Sequence, residues 1–221
     1  SACLVGSEMC IRDRLALRAA TGVASAGTAT TGTVLTFIGA AGGAGTSTFA
    51  AAVARTASTE VQPVIVDAHR YSGGIDLLLG VEDVVGARWG DLDIGQGSVE
   101  RSQLRQALPV TKDGIGVLTG ARTVVPEAAG ISRVAAGDLD RVVTALGTGG
   151  LTVVDAPADG LPNRCDHAFI LAPAEVRAAA ATALITAECR GANIPVSIVL
   201  RHRGWSLSLI HISEPTRQAE I

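Results

Sequence analysis

Residues Val34–Thr48 read VLTFIGAAGGAGTST, a short apolar run, then a glycine-crowded loop, then hydroxyl residues at the head of an alanine-rich stretch. Val34–Ile38 is apolar except for Thr36 and ends in glycines, which predicts a short buried strand. Ser47–Ala57 (STFAAAVARTA) has helix-forming composition and puts Phe49, Ala50 and Val53 on one side. Between them lies Gly39–Thr48, GAAGGAGTST. Closely spaced glycines let backbone N–H groups turn inward around an anion, and a helix N-terminus adds a favourable dipole. A strand, such a loop and a helix in that order are the layout of a phosphate cradle.

Working outward, Pro63–Val66 predicts a second strand ending at Asp67, and Ile75–Leu79 a short helix against the sheet. Arg101–Ala107 is a short amphipathic helix, Ile115–Leu118 a third strand and Leu139–Leu146 a further helix. Leu151–Val154 gives a strand ending at Asp155, and Ala168–Leu171 another. Ala174–Cys189 reads as a long alanine-rich helix and Val196–Leu200 as a last strand. Strands that are short, apolar throughout and separated by helices predict an α/β fold, a mostly parallel sheet with helices on both faces. In such sheets ligands sit at the carboxyl ends of the strands, where the glycine loop, Asp67 and Asp155 all fall.

The usual P-loop pattern is G-x-x-x-x-G-K-[ST]. Gly45 is its second glycine and Ser47 stands where a hydroxyl ligates magnesium; Ala40 replaces the first glycine and Thr46 the lysine. The loop resembles more closely the variant of the ParA/MinD family of P-loop ATPases, K-G-G-x-G-K-[ST]-[ST]. Gly42, Gly43, Ala44 and Gly45 match its glycine run, and Ser47 and Thr48 its hydroxyls. Ala41 replaces the signature lysine and Thr46 the phosphate lysine, so both charges are gone. Pro63–Gly80 (PVIVDAHRYSGGIDLLLG) is similar to the family's second strand and the segment after it. The resemblance implies a water-orienting role for Asp67 and puts His69 in the place of a second aspartate. Leu151–Pro157 (LTVVDAP) resembles the Walker B strand, which implies that Asp155 holds magnesium through water. Cys165–Ala178 (CDHAFILAPAEVRA) resembles the strand whose end lies near the nucleotide base.

The resemblance covers about Val34–Arg203. Within the family it is best with the actinobacterial CpaE-like branch, also called septum site-determining protein Ssd and related to the Tad-pilus factor TadZ. That branch is similar in its lysine-poor loop, G-G-A-G-x-S-T, and in I-D-L-L-L-G-x-E-D followed by R-W-x-D-L, here Ile75–Asp83 and Arg88–Leu92. Two substitutes for the lost lysine come from sequence. Lys112, the chain's only lysine, precedes the third strand and so belongs at the sheet's amino edge, far from the loop. Arg70, just past Asp67, is better placed.

Both ends read as foreign to the domain. One legal set of codons for Leu207–Ile221 has a reverse complement that, in a shifted frame, encodes Ser1–Asp13 followed by a codon open to arginine. The shared DNA resembles an untrimmed sequencing-library adapter. Residues 1–14 and 207–221 are therefore expected to be non-native, Leu15–Thr33 a linker and Val34–Ser206 a P-loop domain truncated at its C-terminal end. Setting the ends aside removes the only methionine, Met9, and leaves Cys165 and Cys189, without disulfide or zinc spacing. This pair fits a reducing, cytoplasmic setting.

The formal charge of −3, about −2 once the ends are set aside, is an ordinary balance, and without a basic tail there is no direct signal of nucleic-acid binding. No apolar run approaches the roughly 20 residues of a membrane span. Attachment through a C-terminal amphipathic helix cannot be read where the adapter stands. Losing the phosphate lysine removes fixed positive charge from the site, and phosphoryl transfer depends on such charge above all. The expectation is a nucleotide-binding regulator that takes ATP or ADP with magnesium through Gly42–Thr48, Ser47 and Asp155, its hydrolysis weak or absent. The resemblance implies a homodimer formed through the nucleotide face. It also implies recruitment to membrane, pole or septum, with cell-division or Tad pilus and secretion partners. An active ATPase using Arg70 or a partner's arginine is the alternative. A nicotinamide-dependent oxidoreductase is disfavoured, since the loop lacks a clean G-x-G-x-x-G and the second strand ends in Asp67-Ala68-His69. Cys165 and His167 sit beside Asp166 without evidence of catalytic geometry, and Trp89 and Trp205 read as packing or partner-surface residues.

Overall fold

The computed structural model describes residues 32–92, 100–120 and 136–201. The two predicted adapter segments, most of the predicted linker and Trp205 lie outside them. Six strands form one parallel sheet: β1 Thr33–Gly39, β2 Val64–Asp67, β3 Gly116–Leu118, β4 Leu151–Ala156, β5 His167–Pro173 and β6 Val196–Arg201. Their order is β3-β2-β4-β1-β5-β6, with every ladder pair parallel. The helices are α1 Thr46–Ala57, α2 Ile75–Leu79, α3 Arg101–Ala107, α4 Ala136–Leu146 and α5 Val176–Gly191.

Parallel neighbours need crossovers, and the crossover helices bury both faces of the sheet. Alternate side chains of β1 show the result. Val34 and Ile38 enter one core with α3, α4 and α5, whereas Leu35 and Phe37 enter a second core with α1 and α2. In the second core Phe37 stacks on Phe169 at 5.0 Å and meets the edge of Phe49 at 5.7 Å. The predicted three-layer α/β/α architecture is therefore the observed one.

Two boundaries move for local reasons. The last helix begins at Val176, not Ala174, because the Ala174 N–H donates to the Arg201 carbonyl and keeps the chain extended past β5. A one-turn 3-10 helix, Trp89–Asp91, was not anticipated; its Asp91 carboxylate accepts the Arg88 N–H at 2.9 Å. At the amino edge of the sheet the Arg101 guanidinium ties elements together. It donates to the carbonyls of Gln62, Leu146 and Leu151 and to the Thr152 hydroxyl, and its burial lowers its pKa to about 10.

Candidate functional site

Sheet register brings the predicted residues to one edge. Asp67 ends β2 and pairs in register with Asp155 of β4, which in turn pairs with Phe37, two residues before the glycine loop. At the far end of α1, Arg55 is bonded to Asp113, 2.9 Å away, in the turn that carries Lys112. That turn therefore lies at the opposite end of the helix from the loop, and Lys112 is not a site residue. Arg70 is exposed and lies over the Tyr71 ring, 5.6 Å from its centre.

The loop takes the shape its glycines allow. Gly43 and Gly45 have φ of 69° and 87°, the left-handed region that side chains resist. Ala44 packs into the core at 1% exposure and anchors the loop, whereas Gly42, Gly43 and Thr48 face solvent. Gly45 precedes the first turn of α1, where no side chain caps the N–H groups and no acid sits. Those donors and the helix dipole favour an anion. The Thr46 hydroxyl lies over Gly39, where an added methyl would come within 2.6 Å of its Oγ1. The side chain brings no charge to the loop.

The two aspartates differ. Asp67 is 1% exposed and acts first as a fastener. One carboxylate oxygen accepts the His69 N–H at 3.1 Å; the other accepts the Ile75 N–H at 3.3 Å and the Thr119 hydroxyl at 3.1 Å. Burial raises its pKa, against hydrogen bonds from Ser72, the His69 backbone and Thr119 that lower it. Asp155, also 1% exposed, has a buried Oδ1 without a hydrogen bond. The His69 Nε2 lies 3.5 Å from that oxygen, too long for a good hydrogen bond. Asp155 holds the imidazole above the ordinary histidine pKa, while burial pulls it the other way.

The segment after β2 locks itself. Arg88 reaches the buried Asp76 carboxylate at 3.5 Å and the carbonyls of Val81 and Glu82. The Trp89 indole N–H donates to the Asp67 carbonyl at 2.8 Å from a buried position. The spaced I-D-L-L-L-G and R-W-x-D-L pieces of sequence are thus the two halves of one fastening, and Trp89 is a packing residue. Burial pushes the Cys165 thiol up to about 11, so it is no nucleophile at neutral pH. His167 is bonded to Ser197 at 2.9 Å.

A residue missed in the sequence completes the edge. Arg201, the last residue of β6, extends back to the glycine loop and donates from Nη1 to the Ala44 carbonyl at 3.0 Å. Its guanidinium lies against Gly45, where any side chain would collide with it. Only topology, which sets β6 two strands from β1, could have exposed this contact.

A nucleoside polyphosphate with magnesium fits these residues in three respects. The loop offers left-handed glycines and uncapped N–H groups, Ser47 stands half-buried in the first turn of α1, and Asp155 carries an unsatisfied oxygen. Among the described residues no group of three or more His, Cys, Asp or Glu could hold a metal. Phosphate oxygens and water would have to complete a magnesium shell begun by Ser47 and Asp155, as that ion permits. No helix among the described residues is long and apolar enough to cross a membrane.

No family model matches the chain. Uncharacterized proteins of Mycobacterium tuberculosis strains H37Rv and CDC 1551 are each 36% identical to it over 178 residues, which are 77% of this chain and 47% of theirs. The chain thus spans about half the length of the curated relatives it matches. Among solved structures, the cell-division ATPase MinD of Pyrococcus furiosus superposes with a TM-score of 0.63 at 20% identity, over 79% of this chain and 74% of its own. A ParA-family ATPase of Chlorobium tepidum gives 0.62 at 16% identity, over 76% and 73%. The septum site-determining protein MinD of Pyrococcus horikoshii, solved with Mg-ADP, gives 0.57 at 19%, over 79% and 72%. At such identities the likeness is one of fold.

Proposed function

We propose that this chain, which has the fold of the ParA/MinD P-loop ATPases, is a nucleotide-binding regulator of that superfamily that binds ATP or ADP with magnesium and hydrolyses it weakly or not at all. One observation carries the reading. A formed glycine cradle, Gly42–Thr48, shares a sheet edge with the unsatisfied Asp155 carboxylate, yet Ala41 and Thr46 leave it without the lysines that phosphoryl transfer exploits. Gly42 to Thr48 contact the phosphates in this reading, Ser47 and Asp155 hold magnesium, and Asp67 orients water in whatever turnover remains. Backbone donors and the helix dipole favour binding; a fixed charge within the loop at the transferring phosphate is what catalysis loses.

The role we favour is positional: marking the division septum, or placing a Tad-type pilus or secretion apparatus, from the cytoplasm by recruitment to the membrane, pole or septum. Its support is the resemblance of the loop and of Ile75–Leu92 to the CpaE-like branch, together with the fold. The homodimer through the nucleotide face finds support in the apolar residues that the segment after β2 exposes, Tyr71, Leu77, Leu78, Val84 and Val85. Calorimetric titration of the full chain with Mg-ATP, paired with a phosphate-release assay, tests the reading. Binding without turnover above background is the expected result. Turnover abolished by Asp155→Ala would establish an active ATPase instead, and no heat at millimolar nucleotide would reduce the site to a relic of the fold.

A further inference from the structure

We infer that Arg201 supplies the positive charge of the phosphate site that the loop itself lacks, acting from the end of β6 in place of a lysine within the loop. The inference rests on the nucleotide reading for its natural ligand, but its chemistry concerns any polyphosphate.

Three observations carry it. First, Gly39–Thr48 contains no cationic residue, and the buried acids Asp67 and Asp155 share its sheet edge. Such an edge repels a polyphosphate unless a cation is added. His69 is directed at Asp155 and Arg70 lies over Tyr71. Second, the Arg201 guanidinium is held on the loop. The backbone of Arg201 is fixed opposite Pro173, and its carbonyl accepts the Ala174 N–H, so the side chain starts from a rigid point. From there it reaches a loop whose start is itself tied to β5, the neighbour of β6, by the Ala40 N–H donating to the Leu171 carbonyl. Third, its resting place is Gly45, the residue that opens α1. The charge is thus added where the helix N-terminus already attracts anions.

The bond to the Ala44 carbonyl engages one of five guanidinium N–H donors. The planar fork suits two phosphate oxygens at once, which a lysine cannot match. A clamp on the loop backbone alone would need neither the charge nor the fork. Gly45 also gains a second reason to be glycine, since its missing side chain is the space the guanidinium occupies.

The test uses the full chain with Arg201→Gln, Arg201→Lys and the double variant Thr46→Lys/Arg201→Gln. Each is titrated separately with inorganic tripolyphosphate and with Mg-ATP, and melted without ligand. Arg201→Gln should weaken tripolyphosphate binding by about tenfold or more, the size expected for one charge-assisted contact, while melting stays within about 2 °C of the parent. Arg201→Lys should fall between the two. Thr46→Lys should restore most of the loss by returning a charge to the loop. Unchanged binding by Arg201→Gln overturns the inference. So does a loss matched by a melting drop and not restored by Thr46→Lys, which would make the residue a clamp. If the parent chain binds tripolyphosphate but not ATP, the nucleotide reading fails and the inference stands; if it binds neither, both fail.

Discussion

At the residue scale, His69 gives the sharpest readout. Its imidazole faces Asp155, Asp67 and Asp159, and the Asp155 carboxylate is the main reason its pKa is raised. An NMR titration should find it above the ordinary histidine value, and Asp155→Asn should bring it down. The linkage has a definite sign. A group whose pKa rises on folding adds stability below its unfolded value, about 6.5, and that stability is lost as pH climbs through the folded value. Urea unfolding at pH 6 and pH 8 should therefore show a smaller stability difference in Asp155→Asn than in the parent. His167 is lowered by burial and works in the opposite sense, so only the difference between the two proteins isolates His69. The glycines supply a second contrast. Gly45→Ala forces a left-handed residue and a collision with Arg201, which should cost about 1–3 kcal/mol. Gly42→Ala, with open space around it, should stay within about 1 kcal/mol of the parent. Chemical denaturation of the pair checks both.

At the element scale, the stretch from β2 to the 3-10 helix Trp89–Asp91 is a strap whose ends are pinned by its own side chains. Trp89→Phe keeps the packing but strands the buried Asp67 carbonyl, an expected loss of about 1–3 kcal/mol. Arg88→Met takes the cation from Asp76, itself 2% exposed, and should cost as much or more. Both variants should speed amide hydrogen exchange at His69 and Ile75, whose N–H groups the Asp67 carboxylate holds. Exchange at these amides unchanged from the parent would show that the strap is not pinned there. The sequence let the pieces be recognised but not joined. Period and composition reveal where α2 lies, whereas nothing local says that Arg88 turns back to Asp76 or that an indole meets a strand end.

At the scale of the molecule, the order of elements was legible because each strand is an apolar run bounded by glycine, proline or a terminal aspartate, and the helices between them stand out by composition, α5 by its alanines and without any apolar stripe. The carboxyl-edge position of Asp67 and Asp155 followed from the parallel arrangement alone. Arg201 was not legible, since its partner lies 157 residues away and no spacing rule spans that separation. The division of labour between the aspartates was equally hidden, because it depends on which donors the fold delivers to each. The proposed dimer belongs to this scale as well. Light scattering with Mg-ATP should report two copies, and Val85→Asp, at a residue 96% exposed, should return a monomer without changing the melting temperature. A wholly monomeric parent at high nucleotide would remove the dimer from the proposal.

The position of β1 in the sheet has a consequence in time. Its two hydrogen-bonded neighbours are β4 and β5, and Val34 exchanges bonds with Asp166, 132 residues further on. Ribosomes add about 5–20 residues per second, so β1 must wait roughly 6–24 s for β4 and roughly 7–26 s for β5. Until then its apolar side chains and open edges stay within reach of chaperones and of other nascent chains. The glycine loop rides on that waiting strand. It is made early and fixed late, and a protease pulsed onto ribosome-bound chains should cut near it until β5 has emerged.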